Sequence, residues 1–99
     1  MFAGWSPECP ARTAEEFNRA AHLDGLDVVW VDFDNVRVTG LAAAAIEIVG
    51  SCRKAIIVAS DLRFARIRSM GQFAIVGSAI VGAEVPFGTS LIECDGTLA

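Results

Sequence analysis

The chain has 99 residues, 54% of them hydrophobic and 20% charged, and carries a formal net charge of −4. That length gives one domain with a single modest core, and that apolar fraction excludes a disordered chain. The acidic balance argues against nonspecific nucleic-acid binding, which draws on clustered Lys and Arg.

Residues 1 to 11, MFAGWSPECPA, hold two prolines and a glycine and read as an irregular arm anchored by Trp5, ahead of a core spanning 12 to 99. The start lacks the basic residues and continuous apolar stretch of a signal peptide. The longest uncharged run, Ser69 to Ala83, is too short for a membrane helix. The expectation is a soluble cytoplasmic protein with no membrane partner. Cys9, Cys52 and Cys94 are far apart, lack zinc-ligand spacing and have only His22 for company, so they read as reduced thiols, two of them filling core space.

Thr13 is placed to cap a helix, with Glu16 completing a capping box. Phe17, Ala20, Ala21 and Leu23 give the apolar stripe of a helix over 14 to 22, stopped by Asp24-Gly25. Residues 26 to 33 are a near-continuous β-branched and aromatic run, as in a strand buried on both faces of a parallel sheet. Thr39 then fits as the N-cap of an Ala-rich helix with Leu41, Ala45, Ile48 and Val49 on one side. Residues 55 to 59 make a second buried strand. Ser60 or Asp61 caps a third helix with Phe64, Ile67, Gly71 and Ala74 on one face.

Beyond Ala74, AIVGS and AIVGA stand back to back. Two short strands around Gly77-Ser78 account for this repeat, as does a helix running to Ile80. The helix is the preferred reading, followed by an edge strand over 83 to 87, where Pro86 suits an edge, and a last turn or two of helix from Thr89. Alternating helices and strands predict a small layered α/β domain with a mostly parallel sheet of three to four strands and helices packed on it.

Asp32, Asp34 and Asp61 then fall at strand carboxyl ends, where open α/β sheets bind ligands. Three carboxylates there suit Mg²⁺, and VDFDNV resembles the first motif of haloacid-dehalogenase-like phosphatases and the first strand of NYN-type nucleases. This gives an alternative reading, a small Mg²⁺-dependent phosphohydrolase or nuclease. The other reading makes Asp34-Asn35 a turn and Asp61 a helix-terminal residue, with no cofactor.

From Asp27 onward the order of pieces resembles a STAS domain of anti-sigma-factor antagonists. VVWVDFDNV leads through Arg37 and Val38 to Thr39-Gly40-Leu41, in place of the family's Ser-Gly-Leu. KAIIVAS matches the next strand, LRFARIRSMGQFAIVG the following helix and GAEVPFG the closing edge strand. The resemblance implies a non-enzymatic regulatory module that binds a protein partner. It also implies phosphorylation at Thr39 and a partner surface around Asp34, Gly40 and Leu41, to which the basic pair Arg63 and Arg66 is added. The apolar excess points in addition to a homo-oligomer, with Trp5, Trp30 and the Phe73–Val81 region as candidate contacts.

Overall fold

The computed structural model describes residues 4–22 and 27–99. Its elements are one helix, α1 (Ala14–Ala21), and five strands: β1 (Val28–Thr39), β2 (Glu47–Val58), β3 (Arg66–Ile67), β4 (Met70–Val76) and β5 (Ser90–Ile92). Every strand pairing is parallel, in the order β1-β2-β4-β5 with β3 also on β2. Val28 pairs with Glu47, Lys54 with Gln72 and Ala74 with Ser90, so each strand is laid beside its predecessor after one coil of chain. Among the described residues no helix crosses between these strands. The architecture is a parallel β-solenoid.

Its core is a set of inward columns. Side one carries Val29, Val31 and Phe33 in the first coil, Ile48 and Cys52 in the second, and Ala65 and Ile67 in the third. On side two, Val38, Ile57 and Ile75 stack in register, as do Val36, Ala55 and Phe73. Side three stacks Leu41 with Ser60 and Ser78, and Ala43 with Leu62 and Ile80. Isolated bridges through Ala42, Asp61, Ala79 and Asp95 hold its register. Each coil contributes about two residues per side, and neighbouring coils bury them against one another, as stacked repeats do.

The corners are backbone features. Chain direction changes after side two at Gly40, Ala59, Gly77 and Glu93, all at positive φ, and after side three at Ala45, Phe64 and Gly82, also at positive φ. The exposed ring of Phe64 lies over Gly82, where a side-chain carbon would strike it. Behind the first of these corners runs a hydroxyl ladder. Leu41 N donates to Ser60 Oγ (3.0 Å) and Ser60 N to Ser78 Oγ (3.0 Å), while each hydroxyl donates to the carbonyl two residues back. Cys94 ends the column with its thiol directed at Ile75 O and Ile92 O.

The amino-terminal end is closed by α1 and the arm. Thr13 Oγ1 caps the helix by accepting from Glu16 N at 3.1 Å, as expected, while the Glu16 carboxylate reaches one residue past the cap and accepts from Arg12 N, a shifted form of the capping box. Phe17, Ala20 and Ala21 are buried, with the Phe17 ring 5.4 Å from that of Phe33. The arm is irregular but tied to β1: Trp30 N donates to Gly4 O, Ala11 N to Trp30 O, and Asp32 N to Ala11 O.

The layered α/β expectation is overturned. The sheet is parallel as expected, but the helices read after Thr39 and after Asp61 are absent, and those residues form side three, β2, β3 and β4. The strand read at 55 to 59 is the second half of β2, and the run at 26 to 33 continues to Thr39, with Leu26 outside the described residues. Residues 83 to 87 give only a bridge from Glu84 to Arg66, and the expected helical tail contains β5 instead. Leu23 and the stop at Asp24-Gly25 also lie outside the described residues. Without helices on its faces the sheet cannot be the layered STAS arrangement, because here strands cover one another by coiling.

Candidate functional site

The three aspartates are not brought together. Asp32 points outward from side one, 3.6 Å from Arg12 Nε. Asp34 is exposed at the bend between sides one and two, 2.7 Å from Arg53 Nε. Asp61 lies on side three, where its two carboxylate oxygens each accept from the Arg63 guanidinium at 2.8 Å. That hydrogen-bonded pairing holds the Asp61 carboxyl below the usual carboxylate range, and the same contact raises Arg63. Each carboxylate thus has its own guanidinium. Among the described residues no group of three or more His, Cys, Asp or Glu side chains is placed to hold a metal ion.

Thr39 is the exposed last residue of β1, paired with Val58, and Gly40 turns the corner after it. No helix starts there, so the cap and the helix-terminus rationale for phosphate binding fall away. Leu41 is inward and 1% exposed, and presents nothing to a partner. Arg63 and Arg66, expected as neighbours on a helix, are separated. Arg63 is held in the side-three turn by Asp61, and Arg66 stands in register between Glu47 and Glu84 on side one. Beside it, Arg68 bridges the same two glutamates at 3.2 and 3.1 Å. These charges serve one another across adjacent strands.

The outer surface of side two is different. Inward and outward residues alternate along a strand, so the outward column beside Val38, Ile57 and Ile75 is Thr39, Val58, Val76 and Ile92. The next outward column is Arg37, Ile56, Ala74 and Ser90. Ile56, Val58, Ala74 and Val76 are half-exposed and Ile92 is exposed. Sequence reading included Phe73 to Val81 among its candidate contacts, and its outward members, among them Ala74, Val76 and Val81, reach the surface, while Phe73, Ile75, Ser78 and Ile80 are core. One edge of the patch is basic, with Arg37 and Lys54. The other edge, past the corner, carries Asp61, Glu93 and Asp95. Depressions of ≈ 270 and ≈ 280 Å³ flank Lys54.

Cys52 and Cys94 are free thiols. Cys52 is inward, and burial pushes its thiol up to about 11, partly offset by a backbone hydrogen bond from Lys54. Such a thiol is unreactive at neutral pH. No helix among the described residues is long and apolar enough to cross a membrane. In comparison with known proteins, the chain matches no family model, no curated protein and no solved structure.

Proposed function

We propose that this chain is a non-enzymatic protein-interaction module that pairs with a second copy of itself through the outer surface of side two. The observation that carries the reading is the outward apolar pair of columns from Ile56 and Val58 to Ile92 on side two. Contiguous exposed apolar surface marks interaction sites. A second copy fits because the same apolar columns on both partners face one another in an isologous pair, the commonest closed assembly.

Thr39 heads the outward valine column. A phosphate there adds about −1.5 to −2 charges to an apolar contact, so modification of Thr39 releases the pair. Light scattering at micromolar concentration tests the reading. The wild type should have twice the 10.5 kDa chain mass, while Val76→Lys and Thr39→Glu should be monomeric with unchanged circular dichroism. A wild-type monomer refutes it.

A further inference from the structure

A second surface feature is independent of side two. Where the arm crosses side one, Pro7 and Arg12 on one flank and Trp30, Asp32, Gly50 and Ser51 on the other line a cleft of ≈ 350 Å³. Trp30 points outward, since Val29 and Val31 on either side of it are buried. Its backbone N–H and carbonyl are both engaged by the arm, at 2.9 and 2.8 Å. The backbone that carries the indole is therefore fixed before any ligand arrives, which lowers part of the ordering penalty of binding. Gly50 is open beside it, and a side chain at that position would overlap Val31 O.

The charged pair in this cleft is the loosest in the molecule among the described residues. Arg12 and Asp32 stand 3.6 Å apart, against 2.7 to 3.2 Å for the other pairs. That separation is beyond a hydrogen bond. It leaves guanidinium N–H donors and carboxylate lone pairs free toward solvent, next to an aromatic plate. A ligand here needs one apolar face to lie on the indole, and an edge offering both donors and acceptors to satisfy the two charges. A net charge of either sign on the ligand would meet one repulsive partner.

We propose that the Trp30 cleft binds a neutral saccharide, one sugar ring stacking on the indole while adjacent hydroxyls donate to Asp32 and accept from Arg12. An aromatic plate with a few convergent polar groups is the common anatomy of small-ligand sites, and hydroxyls are the neutral groups that both donate and accept. The inference concerns binding alone and involves no bond cleavage.

Tryptophan fluorescence titrated separately with maltotriose, cellotriose and chitotriose, to high millimolar concentration, tests this on the intact chain. At least one should give a saturable change. Trp5→Phe should retain that change, whereas Asp32→Asn, with circular dichroism unchanged, should weaken binding by about tenfold or more. Trp30→Phe, which keeps a ring, should bind more weakly than wild type, by heat measured in calorimetry. No saturable change with any of the three sugars overturns the proposal, as does unchanged affinity in Asp32→Asn. Saturable binding of a proline-rich peptide in their place also overturns it and identifies a peptide site.

Discussion

Two buried serines make opposite demands on the fold, and replacing each with alanine separates them. Ser60 is 5% exposed, and its hydroxyl accepts from Leu41 N and donates to Val58 O at 3.0 and 2.9 Å. Ser69 is 3% exposed, and its hydroxyl has no hydrogen-bond partner among the described residues. Ser60→Ala leaves the Leu41 N–H buried without an acceptor, beside a side chain that is 1% exposed. An orphaned buried donor costs about 1–3 kcal/mol, so the expected loss is about 2 kcal/mol. Against a total of roughly 5–15 kcal/mol for a natural domain, that is a large fraction. For a chain of this length it lowers Tm by about 4–8 °C per kcal/mol. Ser69→Ala removes a hydroxyl that was desolvated for nothing, and its stability should match or exceed wild type. Urea unfolding followed by circular dichroism measures both, and the midpoint should move without a change in slope. Equal midpoints for the two variants would refute the hydroxyl ladder as a structural element.

Gly71 sits at φ 141 with Cys52 O so close that an added side-chain carbon would overlap it. Gly71→Ala should therefore fail to fold or lose more than about 3 kcal/mol, whereas Gly88→Ala, at φ 86 in open space, should lose about 1 kcal/mol by urea unfolding. The Cys52 thiol, raised from 9.0 to about 11, stays protonated in the folded chain where an unfolded thiol ionises. Its contribution is present in full below pH about 9 and disappears as pH rises through about 11, a total of roughly 2–3 kcal/mol. Cys52→Ala should flatten that alkaline loss in a pH series of urea midpoints. Millimolar Mg²⁺ or Mn²⁺ should leave the thermal midpoint unchanged, because Asp32, Asp34 and Asp61 stand apart, each facing a different arginine, and are not gathered around one ion. A rise abolished by Asp32→Asn would restore the metal reading.

The amino-terminal helix was legible because capping and periodicity agree there: Thr13, Glu16 and the Phe17 stripe all give the same boundary. The parallel sheet was legible from the β-branched runs. The coiling was not, because its inward spacing imitates a helix. Inward residues run 41, 43, 46, 48 and then 60, 62, 65, 67, pairs two apart repeating every five. Such a pattern puts i, i+5 and i+7 inside, and i+7 is also a helical position. Ala43, one of the alanines that raised helix propensity after Thr39, is instead a buried small residue of the core, as are Ala65 and Ala83 in the following coils. The visible signal was AIVGS followed by AIVGA. Ile75 and Ser78 in the first unit, and Ile80 and Ala83 in the second, face inward, and Gly77 and Gly82 turn the corners at φ 60 and 69.

Among the site residues, Asp34 was read at a turn and stands at an exposed bend, but Thr39 was read as a helix cap and is a strand end, and the partners of both were illegible. Arg53 and Val58 reach them from the next coil, about 19 residues away by register, and no local pattern encodes that distance. Side two escaped notice for the same reason. Val58, Val76 and Ile92 are scattered in sequence and become one column only when the coil length is known.

The central claim is that side two is the contact between two copies, and valine and isoleucine methyl NMR across a dilution series tests it residue by residue. Pairing through that surface predicts that the methyl signals of Ile56, Val58 and Val76 shift with concentration, while those of the inward Val29, Ile57 and Ile75 and of Val28 and Val49 on side one stay fixed. Shifts centred on Val49, or signals independent of concentration throughout, would contradict it.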